Sequence, residues 1–121
     1  MDEKDLVVSV RASLASTPAV KEIKMFGGIG FMLNNHLLVA ASSRGLLARV
    51  GKDAEREALT GRGASPMIMR GRFIVGYIRV DAAALDERAV AAWVHRARHF
   101  VQTLPNKKPT PKTKRSKEKR R

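Results

Sequence analysis

His95 and His99 lie four residues apart, the spacing by which one helix face can present two metal ligands. The stretch reads His-Arg-Ala-Arg-His, so the glutamate that serves as general base in a helical zinc-protease motif is missing. Arg96 and Arg98 flank the pair and oppose a cation. If Ala97 faces the core, both histidines point away from it, and the pair reads as a solvated face with no metal. His36, between two apolar runs, reads as an exposed residue at a hairpin tip. Ser42 and Ser43 have no Gly-x-Ser-x-Gly elbow around them. Asp53, Glu55 and Glu57 crowd the start of a short helical stretch, where the helix dipole alone favours acids. These side chains do not assemble a nucleophile, a base and an orienting group, so the expectation is a protein that is not an enzyme.

The segment Lys24–Phe31, KMFGGIGF, puts three glycines within four positions. A dinucleotide fingerprint needs Gly-x-Gly-x-x-Gly between a strand and a helix. Gly28-Ile29-Gly30 begins that pattern, but position 33 is Leu33, and an Asn34-Asn35 turn follows in place of a helix. The glycines therefore read as a structural hinge, supplying positive φ or close backbone approach. Met25 and Phe26 before it, and Phe31 after it, are expected to fold back into the core. No cofactor is expected.

Six arginines, Arg44, Arg49, Arg62, Arg70, Arg72 and Arg79, fall on strands or turns of the central region. Sharing a face, they would form a positive surface for nucleic acid or an acidic protein; scattered, they would only solvate the sheet. Tyr77 and Phe73 are the aromatics available for base stacking, which argues against sequence-specific reading of single strands.

The elements that must position these residues follow from periodicity. Leu6, Val7, Val10 and Leu14 share a helix face over residues 2–15, with Asp2, Glu3 and Asp5 at its start and Ser16-Thr17-Pro18 beyond its end. Strands are expected at 20–26, 30–33, 37–42, 46–50, 67–69 and 73–80, with turns at Asn34-Asn35, Arg44-Gly45 and Arg70-Gly71. Asp53 is expected to cap a short helix over 54–60. A last helix over 86–104 carries one stripe, Val90, Trp93, Val94, Ala97, Phe100, Val101 and Leu104. The order α-β-β-β-β-α-β-β-α with short turns predicts an α+β fold, an antiparallel sheet with helices packed against it.

Length, charge and cysteine use bound the rest. The 121 residues suffice for one domain, over 1–105. The absence of cysteine excludes disulfides and thiolate metal sites. Neither a signal-like leader nor a long apolar run is present, so the expectation is a cytoplasmic protein with no membrane partner. The net charge of +13 is uneven. Residues 106–121 hold nine Lys and Arg, among them Lys107, Lys108, Lys112, Lys114 and Arg115, against the single acid Glu118. Such a Lys/Pro-rich tail buries too little apolar surface to offset its ordering entropy and is expected to be disordered.

The stretch KMFGGIGFMLNNHLLVAASSRGLLARV resembles the signature of the TfoX N-terminal domain family. Lys24, Met25, Phe26, Gly27, Gly28 and Gly30 match its Met-Phe-Gly-Gly-x-Gly motif and the basic residue before it. Leu47-Ala48-Arg49-Val50 matches a later strand, with Leu47 where an aromatic is usual. Pro66-Met67-Ile68, Gly76-Tyr77 and the Trp93 helix also fit, so that the resemblance spans about residues 5–104. It implies a regulatory role without catalytic residues. Full-length TfoX/Sxy proteins are positive regulators of DNA-uptake competence in bacteria, working with a transcription factor. They carry a second, helical C-terminal domain where this chain has its basic tail. The expectation is a regulatory or adaptor protein whose partner is a regulatory protein or DNA, as monomer or homodimer. The rival readings are a nonspecific nucleic-acid-binding accessory protein working through its tail, and a small enzyme or ligand carrier using the glycine loop.

Overall fold

The structure is a computed structural model that describes residues 1–25 and 27–105. Helix α1 (Glu3–Ser13) is followed by four strands, β1 (Lys21–Met25), β2 (Gly28–Leu33), β3 (His36–Ser42) and β4 (Gly45–Arg49). A single helical turn, α2 (Glu55–Ala58), leads to β5 (Ala64–Met69) and β6 (Arg72–Asp81). A 3-10 turn (Ala82–Ala84) then leads into α3 (Glu87–Gln102). The α+β class and the element order expected from the sequence are both observed. The six strands form one antiparallel sheet, ordered β1-β2-β3-β4-β6-β5.

The helices start where a side chain satisfies a free backbone N–H. Asp2 Oδ1 accepts from the Asp5 N–H and Asp86 Oδ1 from the Ala89 N–H, both at 2.8 Å. Each cap contributes on the order of 1 kcal/mol. The tight hairpins form where residues tolerate left-handed backbone. Asn34 and Asn35 have φ of 54° and 65°, and Arg70 and Gly71 have 54° and 76°, the type I′ pattern that matches the twist of paired strands.

Helices α1 and α3 pack together on one face of the sheet. Leu6, Val10, Val90, Val94 and Val101 from the helices meet Phe31, Leu38, Val39, Leu46, Ile78 and Val80 from the strands, all fully buried. Five of the seven stripe residues on α3, Val90, Trp93, Val94, Ala97 and Val101, are buried as expected, with Trp93 7% exposed; Phe100 is half-buried against the core and Leu104 lies beyond the end of the helix. At the sheet edge, Arg11 on α1 donates Nε and Nη2 to the two Glu22 carboxylate oxygens on β1, each at 2.8 Å. That hydrogen bond lowers the Glu22 pKa, so its small contribution holds at neutral pH and fades as pH falls through the lowered value.

Several expected boundaries and placements are corrected. Strand β2 begins at Gly28, because Met25 pairs with Gly28 across a two-residue turn, so the glycines are in the sheet itself. Strand β5 begins at Ala64 and contains Pro66, which an edge strand with a register shift beside it can accept. Asp53 does not cap α2; the residue before that turn of helix is Ala54, with no side-chain cap. Instead Glu55 Oε1 accepts the Gly76 N–H at 2.9 Å and ties α2 to β6. Of the hydrophobic residues flanking the glycines, Phe31 enters the core at 1% exposure, whereas Met25 lies half-buried on the opposite face of the sheet. Phe26 and the basic tail lie outside the described residues.

Trp93→Ala should cost roughly 3–5 kcal/mol, read from the midpoint of urea unfolding, because it empties a large site under the helices. His95 and His99 sit on the exposed side of the same helix. Their Ala variants should stay within about 0.5 kcal/mol of the parent.

Candidate functional site

The sheet has a second face that no helix covers among the described residues. Side chains alternate along a strand, so register sorts the residues. Gly30 faces Ala40, Ala40 faces Leu47, Leu47 faces Arg79, and Met67 faces Ile74. These lie opposite the core set. Ala40, Leu47 and Met67 form a small second apolar cluster, joined by half-buried Leu37, Met69, Ile74 and Tyr77. A groove of about 330 Å³ opens above it. Met25, Met32, Met67 and Met69 line the groove; of the five methionines only Met1 does not. Asn35, His36 and Arg49 form its polar end.

The glycine motif builds this groove. At Gly28 a Cβ would stand 1.9 Å from the Ala41 carbonyl oxygen, so a backbone atom of β3 occupies the space of a side chain. At Gly30 a Cβ would stand 2.2 Å from the Met25 sulfur. The Met25 side chain therefore lies across the bare backbone of Gly30 and reaches the groove. Gly27 turns the β1–β2 hairpin at φ 74°, with open space around it. Close approach at Gly28 and Gly30 and a left-handed turn at Gly27 account for all three glycines without a phosphate.

Arg49 closes the polar end. Its guanidinium lies 5.6 Å from the ring centroids of Tyr77 and Phe100, and Nη1 lies 3.4 Å from His36 Nδ1. His36 Nε2 is 2.9 Å from the Pro105 carbonyl oxygen. The carbonyl of Pro105 can only accept and the guanidinium of Arg49 can only donate, so Nε2 is the ring's donor and Nδ1 its acceptor in these two contacts. His36 is half-buried and engaged, in place of the exposed tip residue expected. The last described residue therefore sits at the polar end of the groove.

The expected arginines divide. Register places Arg49, Arg72 and Arg79 on the groove face. Arg44 and Arg70 occupy turns at opposite ends of the sheet, and Arg62 lies in the loop before β5. Burial, followed by the like charge of nearby Arg44, lowers the Arg79 pKa from its ordinary value. Among the described residues none of these six has a carboxylate within 4.0 Å, the one ion pair being Arg11–Glu22. The strands hold two acids. Glu22 lies towards α1, and Asp81 spends Oδ1 on the Ala83 N–H at 3.2 Å.

The other sequence candidates do not converge on the groove. His95 and His99 are exposed on α3, and His95 Nδ1 lies 3.4 Å from Arg98 Nη2. Ser42 Oγ accepts from the Arg44 N–H at 3.3 Å inside its turn. Lys24 is exposed on edge strand β1. No group of three or more metal-ligating side chains occurs among the described residues, and no helix there is long and apolar enough to cross a membrane. Lys107, Lys108, Lys112, Lys114 and Arg115 lie outside the described residues.

Compared with protein-family models, the chain matches the TfoX N-terminal domain over residues 12–101. The chain belongs to the TfoX N-terminal domain family. The match runs from the end of α1 to the end of α3 and includes the whole sheet and its groove. Neither a curated protein nor a solved structure matches the chain. The glycine motif by which the sequence resembles the TfoX N-terminal domain is thus the motif that carries Met25 over the sheet.

Gly28→Ala and Gly30→Ala should differ. At Gly28 the added methyl meets backbone, so the loss should exceed the ~1 kcal/mol of an ordinary Gly–Ala difference. At Gly30 it meets the end of a flexible thioether, so the melting temperature should fall less while the Met25 methyl resonance moves. Equal melting temperatures for Gly28→Ala and the parent would show that the β2–β3 approach is not tight.

Proposed function

We propose that this TfoX-N protein is a non-enzymatic regulatory adaptor that acts by holding a protein partner, in the manner of regulators of DNA-uptake competence. The observation that carries the reading is the sheet face that no described helix covers, which presents an apolar groove with Arg49 at its end and Arg72 and Arg79 on the same face. A face of that kind on a folded domain is a surface for a partner. The family is not a family of known enzymes, which supports the non-catalytic part of the reading. Residues 1–105 act as the folded domain, and the basic tail adds charge to it.

A second reading has its own observation, the charge of residues 106–121. Nine basic residues against one acid can neutralise phosphates and release counterions without reading sequence. In that reading the tail supplies most of the nucleic-acid affinity of the protein.

Recovery of partners from lysate on the tagged chain, with and without nuclease, separates the two. A protein retained after nuclease treatment supports the adaptor; loss of all partners on nuclease treatment supports the nucleic-acid reading. Duplex DNA binding should fall with salt at a log–log slope of about −0.9 per phosphate contacted. Replacing Lys107, Lys108, Lys112, Lys114 and Arg115 by Gln should make that slope shallower by up to about 4.5. An unchanged slope would move DNA contact to the arginines of the sheet.

A further inference from the structure

The groove has a chemistry of its own. Four methionines line it, unbranched and polarisable, and such side chains adapt to apolar groups of differing shape. Its volume of about 330 Å³ takes a few side chains and not a folded domain. At its end Arg49 is held by two rings and His36, with no carboxylate within 4.0 Å among the described residues. A guanidinium fixed in that way is a fork prepared for an anion. Arg72 and Arg79 share the face, and its single strand acid, Asp81, is committed to the 3-10 turn. Pro105, the last described residue, accepts from the ring of His36 at this end. The centre is apolar and the surroundings are positive, a poor match to a phosphate backbone and a good one to an amphipathic acidic peptide.

We infer that the groove binds an acidic segment of a partner protein, its apolar side chains seated among Met25, Met32, Met67 and Met69 and a carboxylate paired with Arg49. The inference rests on the adaptor reading and specifies what the partner must offer.

The test uses the full chain with 13C-labelled methionine methyls. The probes are a short synthetic peptide of leucines spaced by glutamates and the same peptide with lysine for glutamate. The acidic peptide should shift the methyls of Met25, Met32, Met67 and Met69 and leave Met1 in place. The lysine peptide should shift none of them. Arg49→Gln should weaken the acidic peptide about tenfold, the low end for a charge-assisted hydrogen bond at a half-exposed site. Ile74→Glu, with its fold checked by thermal melting, should abolish the groove shifts.

Three results would overturn the inference. One is acidic-peptide binding that leaves the groove methyls unmoved, which places the contact on the tail. Another is equal shifts with both peptides. The third is a short DNA duplex that moves the same methyls at lower concentration than the peptide. The groove and the adaptor reading can also fail separately. A nuclease-resistant partner kept by Ile74→Glu retains the adaptor and removes the groove; peptide binding in the groove without any such partner does the reverse.

Discussion

Two helices can cover one face of a six-stranded sheet, and that constraint arranges the rest of this molecule. Helices α1 and α3 both lie on the face that carries Phe31, Leu38, Val39, Leu46, Ile78 and Val80. The other face must then meet water or a partner, yet its centre is Ala40, Leu47 and Met67, all buried. It achieves this by covering itself. Met25 reaches over Gly30 and Tyr77 pairs across to Arg49, so side chains at the rim shelter the middle. What remains is a groove where a flat sheet would have exposed a larger apolar patch.

The glycine motif serves that arrangement. A phosphate loop would place its glycines at a strand-to-helix junction, with N–H groups free for an anion. Here Gly28 and Gly30 are strand residues paired with Met25 and Ile23, and their N–H groups belong to a sheet. The missing Cβ at Gly28 admits the Ala41 carbonyl, and the missing Cβ at Gly30 admits a thioether. Sequence and structure therefore agree that the glycines are structural. They differ on Met25, which goes to the groove, whereas Phe31 goes to the core as expected.

The legible parts were those where one local rule decides. The stripe on α3 shows Val90, Trp93, Val94, Ala97 and Val101 at helical spacing, and all five are buried. Asn34-Asn35 marks a left-handed turn because Asn tolerates positive φ. The groove was hidden because strands β3 and β4 are apolar on both faces, which reads as burial on both sides. Register shifts at Phe31/Met32 and Pro66/Met67 also move the phase of alternation, so a period-two count assigns the wrong face beyond them. Pro66 masked most of β5, since proline argues against a strand interior. One signal was available. Met25, Met32, Met67 and Met69 all lie on or beside expected strands, and methionine there, where β-branched residues usually pack, points to an adaptable surface.

Electrostatics bears on the face proposed to hold a partner. Arginines that only solvate a sheet are free to spread, and their charge is screened within about 8 Å at physiological salt. Arg79 departs from that pattern, because burial and Arg44 both work against its charge. Arg49 departs from it too, its guanidinium drawn against Tyr77, Phe100 and His36. Holding two cations half-buried without local acids costs stability in the free protein, and an anion arriving from outside relieves that cost. The apolar floor supplies contact area and the arginines supply the sign of the charge. A partner that offers both gains from each, whereas a bare polyanion gains only from the second.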